Sequence, residues 1–195
     1  VKGIQSAVFS DKELSSTDIS LTTLRPYIKQ PDTTAVRTSR FALQLANGML
    51  SRRFERIAKE ENTVINKGGA SRSAMFNFVE MGSIDVEAKN DDWKKAVAVL
   101  EQEFRRALEH GFTDDELTEA KANTLNAYER QVKEEPSRKS DALASAIAQS
   151  INDDSVFSTA ATDLEIAKKA LDSIDVAACK AAFVRSEERR VGKEC

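Results

Sequence analysis

The chain has 195 residues, of which 41% are apolar and 31% charged, with a formal net charge of -3. That length suits one domain, or two small ones, with a substantial core, and near-neutral, interspersed charge excludes the basic footprint of a nucleic-acid binder. No apolar run approaches the roughly 18 residues needed to span a bilayer; no signal peptide is present either, and because the first residue is Val1 the sequence reads as part of a longer frame, which leaves the compartment open.

In chain order, Ile4–Asp11 (IQSAVFSD) and Thr17–Leu24 (TDISLTTL) read as two short strands joined by a turn. In the second, Ile19, Leu21 and Thr23 alternate with Ser20, Thr22 and Leu24, the period of a half-buried strand. Pro26 and Pro31 then interrupt regular structure. Asp32 is placed to cap a long helix, along which Val36, Leu43, Ala46, Leu50, Phe54 and Ile57 return at three- and four-residue steps. Val64 and Ile65, and then Ile84, Val86 and Ala88, argue for two more strands whose limits are blurred by Gly68, Gly69 and Gly82. From Asp92 the pattern is helical only. Trp93, Val97, Leu100, Phe104 and Leu108 share one face, and at roughly 1.5–3 kcal/mol per large buried side chain that stripe commits its helix to a core.

His110, the only histidine, is followed closely by Asp114, Asp115 and Glu116, which raises a metal site, an acid/base cluster or a helix joint. The joint accounts for every residue. Gly111 stands where a helix end wants a positive φ, Thr113 and Glu116 have capping-box spacing, and the two aspartates put negative charge in the next first turn. A zinc site needs at least three protein ligands, and one histidine without cysteines could draw the others only from carboxylates. Leu117, Ala120, Thr124 and Tyr128 carry the buried face of the helix that follows. Beyond Pro136, Leu143, Ile147 and Ile151 form an i, i+4, i+8 face, and Val156–Leu171 and Asp172–Phe183 read as two final helices, the last capped by Asp172 or Ser173. Two strands, a long helix, two strands and several helices make an α+β fold: an antiparallel β-sheet with α-helices packed on one face.

Arg185–Cys195 (RSEERRVGKEC) has no apolar period; it resembles the translation of a sequencing adapter, or reads as a charged tail, and stands outside the expected fold. Without it, Cys179 is the one cysteine, which removes an intrachain disulfide and any CxxC motif and leaves it a small buried hydrophobe.

Three stretches in this order are similar to the C-terminal-type domain of M16 metallopeptidases, the insulinase and pitrilysin family with the LuxS/MPP-like fold. Phe9–Pro26 resembles the opening strand pair, Leu45–Glu61 the long helix with its Arg-aromatic pair (Arg53, Phe54), and Ala96–Glu129 the helix pair with a Gly-aromatic-Thr corner. The resemblance covers essentially Val1–Val184. It implies one of a pair of homologous domains forming half of a peptide-degrading chamber, with zinc and base carried by an H-x-x-E-H helix in the domain upstream. Nothing of that motif occurs here, so the resemblance gives this stretch no catalytic or metal-binding residue, no cofactor of its own, and zinc only in the parent's catalytic domain. In the last domain of long single-chain members an Arg and a Tyr touch the peptide; the corresponding positions here are Ala58 and Ile65, which suggests the second domain rather than the fourth. The substrate-binding residues are unknown. Partners implied are other M16 domains of the same chain or a partner subunit, and the peptide substrate of the parent. The resemblance favours the periplasm slightly over the cytoplasm.

Other residues weigh towards structural roles. Arg52, Arg53 and Arg56, among acidic neighbours, read as a solvated helix face rather than an anion patch. Asn66–Arg72 (NKGGASR) lacks the Lys-Ser/Thr and the helix of a phosphate loop and reads as strand or hairpin, while Trp93 reads as a core anchor. The expectation is a non-catalytic domain of an M16-like zinc peptidase; the alternatives are a catalytically silent M16-like scaffold and an unrelated helical interaction module.

Overall fold

Alternation along Thr17–Pro26 produces strand β1, and two longer strands, β2 (Ile65–Met75) and β3 (Val79–Ala88), complete an antiparallel sheet of order β1-β3-β2. The computed structural model describes residues 3–11, 13, 16–89 and 92–188. Registers such as Ile19↔Val86 and Leu21↔Ile84 on one side of β3, and Gly68↔Val86 and Ala70↔Ile84 on the other, line up one apolar face. The opposite face is polar. There Ser20 Oγ and Ser83 Oγ donate to Asp85 Oδ1 at 2.6 and 2.7 Å, with Thr22 alongside.

The expected strand Ile4–Asp11 does not form. The described residues of this segment join no ladder, although β1 as the edge strand keeps one side open, and Ile4, Val8 and Phe9 are exposed.

Helix α1 (Thr34–Ile57) packs on β2, and α2 (Trp93–Glu109) on β3 and β1. Behind them lie α3 (Asp114–Glu134), α5 (Ala160–Ser173) and α6 (Val176–Glu188); α4 (Ser140–Asn152) follows a short 3-10 turn and buries no residue. Residues 189–195 of the charged C-terminal stretch lie outside the described residues, while helix α6 includes Arg185–Glu188. The α1 stripe is broader than the sequence suggests: Phe41, Leu45 and Met49 are buried with Leu43, Ala46, Leu50 and Phe54. Phe54 meets Ile84, Val86 and Ile65 in one core, which Leu100, Cys179 and Phe183 extend. The Phe183 ring is the centre of an aromatic group, with Phe112 at 5.9 Å and Phe104 at 6.1 Å, both edge-on.

Three local expectations are corrected. Thr33, not Asp32, caps α1 by accepting from Val36 N–H at 3.3 Å, and Asp32 is turned instead to Arg37. Asp175, not Asp172 or Ser173, caps α6, accepting from Ala178 N–H at 2.7 Å, because α5 runs through Ser173. The buried stripe of α2 is rotated to Ala96, Leu100, Glu103 and Ala107, where small side chains bring the helix close to its neighbours; Trp93 is left 49% exposed beneath Lys94 and anchors no core. The Leu143, Ile147, Ile151 face of α4 exists but stays uncovered.

Gly68 permits the approach of α1 to β2: a Cβ there would lie 2.9 Å from Phe54 Cβ and Val86 Cγ1. Gly48, mid-helix in α1, has open space at the same position. Gly68→Ala is therefore expected to cost about 1–3 kcal/mol in urea unfolding, whereas Gly48→Ala is expected to gain about 0.5–1 kcal/mol. Equal effects at the two positions would contradict this packing.

Candidate functional site

The residues singled out around His110 converge on α1 from the α2–α3 joint. Gly111 has φ +75, ending α2 in the left-handed conformation, and Thr113 and Glu116 form the full capping box: Glu116 N–H donates to Thr113 Oγ1 at 3.2 Å and Thr113 N–H to Glu116 Oε2 at 2.9 Å. Asp114 and Asp115 are exposed in the first turn of α3. His110 is exposed too, its Nε2 3.9 Å from Glu109 Oε2.

Arg53 occupies the inside of this joint. Its Nε donates to Glu116 Oε1 at 2.6 Å and its Nη2 to Glu116 Oε2 and the Gly111 carbonyl, both at 2.8 Å. The guanidinium carbon lies 5.0 Å from the centre of the Phe112 ring. Nη1 faces Glu103 Oε2 at 3.8 Å, and these two buried atoms have no hydrogen-bond partner. One planar fork thus holds the capping carboxylate of α3 and the carbonyl that α2 leaves open. Burial would raise the Glu116 carboxyl, but the Arg53 hydrogen bonds and the Thr113 N–H outweigh it and hold the group at about 2.

The expected solvated arginine face is therefore right for two residues and wrong for the third. Arg52 pairs with Glu119 at 2.8 Å and Glu55 at 2.7 Å at the surface, and Arg56 reaches Glu116 at 3.2 Å, but Arg53 is only 5% exposed and belongs to the interior. Each of its charged neighbours is internal, so it offers no open fork to an anion.

A second polar group went unnoticed in the sequence. Arg37 donates to both oxygens of Asp32 (2.8 and 2.5 Å), to Asp163 Oδ1 (2.9 Å), to Ser158 Oγ (2.8 Å) and to the Val156 carbonyl (2.6 Å). Hydrogen bonding to Arg37 holds Asp32 at about 2. The cluster floors an open cleft of about 300 Å³ beside α4, lined also by Arg138, Ser150 and Phe157. Asp163 lies 126 residues from Arg37, so no local spacing could have signalled it. On the sheet, Glu80 is shared by Arg25 (2.6 Å) and Arg72.

Among the described residues no three His, Cys, Asp or Glu side chains are arranged to hold a metal ion, and Glu116 is committed to Arg53 and the cap. Burial raises the Cys179 thiol to about 11, which keeps it an inert core group. Asn66–Arg72 lies within β2 apart from its first residue's bulge, Ala58 ends α1, and Ile65 is fully buried. No helix of the described residues is long and apolar enough to cross a membrane.

No protein-family model matches the chain, and no curated protein matches it. Solved structures do. The first half of the periplasmic protease PqqL from Escherichia coli is similar at a TM-score of 0.81 and 21% identity, over 92% of this chain and 38% of that one. A predicted insulinase family protease from Yersinia pestis gives a TM-score of 0.77 at 11% identity, over 91% and 38%. A peptidase M16 inactive domain from Pseudomonas fluorescens gives 0.60 at 15%, over 88% and 37%. The α+β fold of this chain is thus the fold found in M16 peptidase structures, and the chain spans less than two-fifths of each of these three.

Two outcomes follow from the joint. Arg53→Ala removes the buried partner of Glu116 and Glu103, leaving them only Arg56, Arg106 and the cap, and is expected to cost about 3–5 kcal/mol in chemical denaturation, against at most about 1 kcal/mol for Arg56→Ala at the surface. Glu116 and Asp32 titrate near 2 in the folded chain, below the usual 4.5 and 3.8. Their contribution to stability is full above those usual values and is lost as pH falls through them towards 2. Circular dichroism from pH 7 to pH 2 should show stability falling across that window, with a shallower fall in Glu116→Gln; a stability independent of pH down to 3 would contradict the arrangement.

Proposed function

We propose that residues 1–184 form a non-catalytic domain of a longer M16-like zinc metalloendopeptidase, lining its peptide-degrading chamber and holding in place a zinc domain encoded upstream. The observation that carries this reading is the backbone likeness, over 92% of the chain, to the first half of PqqL. The likeness to a stretch named an inactive domain points the same way.

The contribution of such a domain is geometric. A rigid wall excludes bulk water and fixes where an extended peptide lies relative to the metal, so that binding precedes chemistry at low entropic cost. Within it the Arg53 joint sets the angle between the sheet-covering helices and α3. Zinc would belong to the upstream domain, and peptide and neighbouring domains would be the partners. Placement as the second domain accords with a match inside the first half of PqqL and with Ala58 and Ile65 at positions where a peptide clamp would otherwise stand. PqqL is a periplasmic protein, and we assign the parent to that compartment. Residues 185–195 stand outside the domain in this reading.

A catalytically silent scaffold is the second reading, favoured by the inactive domain among the similar structures. The upstream reading frame separates the two: an intact H-x-x-E-H supports the peptidase and its loss supports the scaffold. The chain alone, incubated with an unstructured peptide with and without added zinc, is expected to produce no cleavage by mass spectrometry. Hydrolysis abolished by a chelator would overturn the non-catalytic assignment.

A further inference from the structure

The exposed apolar residues of this chain are not scattered. Of the sixteen large ones among the described residues, nine fall at one end of the molecule: Ile28, Met75, Phe76, Phe78, three on α4, Val156 and Phe157. Three polar contacts tie their segments together: Asn77 Nδ2 donates to the Asn152 carbonyl at 3.0 Å, Lys29 pairs with Asp154 at 2.6 Å, and Tyr27 N–H donates to the Phe78 carbonyl at 3.0 Å. The apex of the β2–β3 hairpin therefore rests against the end of α4, and the α4 stripe of Leu143, Ile147 and Ile151 continues the patch at 39%, 40% and 71% exposure.

The apex is also strained. Phe78 N–H closes on the Met75 carbonyl at 3.0 Å around Phe76 and Asn77, whose φ angles are +52 and +51. Asparagine tolerates that region, but a bulky aromatic there is an outlier that a free hairpin would replace with glycine. Phe76 is nevertheless 93% exposed and Phe78 81%, so neither ring repays the strain by packing within this chain.

We infer that this end, led by Phe76 and Phe78, is the docking surface for the neighbouring domain of the same longer chain, which receives the hairpin rings in an apolar pocket and covers the α4 stripe. The inference rests on the proposed function. Similar structures run to more than twice the length matched here, so further protein lies against some face of this fold. The outer face of the sheet carries a hydroxyl and carboxylate network around Ser20, Ser83 and Asp85, and Arg52 on α1 is paired with Glu55 and Glu119. Among the described residues this end gathers nine of the sixteen large exposed apolar side chains, the kind of clustering that marks an interaction surface.

Phe76→Gly separates the states by sign. In the 195-residue chain it relieves the left-handed strain and should raise Tm by about 2–4 °C; in the full-length parent it removes the docked ring and should lower the Tm of this domain by at least as much. With the photocrosslinker p-benzoylphenylalanine at position 78, the parent should yield a link to a peptide of the adjacent domain. A rise in Tm in both proteins, a link between two copies, or no link overturns the docking surface. A reading frame with no further domain overturns the proposed function as well, whereas one lacking H-x-x-E-H removes only the catalytic parent and leaves the docking result intact.

Discussion

The fold turns on a single buried guanidinium. Arg53 reaches from α1 to the Gly111 carbonyl just past the end of α2 and to the carboxylate that caps α3, so three helices share one side chain. Lysine could not replace it, because a point charge cannot satisfy both oxygens of Glu116 and the Gly111 carbonyl in one plane. Such a cluster is a poor source of net stability, since desolvation offsets much of the attraction. What it supplies is direction. A wholly apolar joint would tolerate several helix angles, while a bidentate pair that also closes a capping box tolerates few.

Small residues supply the complementary constraint on the sheet side. Gly68 lets Phe54 of α1 settle onto Val86, and Ser51 Oγ accepts from Ala70 N–H at 2.9 Å, so α1 ties directly to a β2 backbone group. Ala96 and Ala107 allow α2 a similar closeness. The open cleft lies at the periphery beside α4.

How much of this could be read from the sequence divides along physical lines. Local signals were legible: the period-two alternation of β1, the long α1 stripe, and the Gly111–Thr113–Glu116 corner, each encoded within a few residues. Signals whose partner is distant were not. Arg53 reads as one of three surface arginines because Glu116 lies 63 residues away, and Glu103 looks like the polar face of α2 although it is buried. The same blindness rotated the α2 stripe towards Trp93, since hydrophobicity marks large side chains while contact centres on small ones. Ile4–Asp11 has strand composition but does not pair with the open edge of β1, and composition cannot state whether a pairing forms.

The distribution of unsatisfied surface then distinguishes the two ends of the molecule. At the joint, charges that look available in the sequence are consumed internally, and the capping box, the buried fork and the paired surface arginines leave little for a partner. At the hairpin end the reverse holds: α4 has correct helical spacing and no buried residue, and the turn carries one aromatic residue, Phe76, at positive φ where glycine would be cheaper. A chain selected only for its own stability would remove both features by a few substitutions. Their joint presence at one end, bound together by the Asn77–Asn152 and Lys29–Asp154 contacts, is what a part made to be covered requires. In the proposed reading the rigid joint and the uncovered end are one arrangement: the first would fix the shape of the domain, and the second would be where its neighbour attaches.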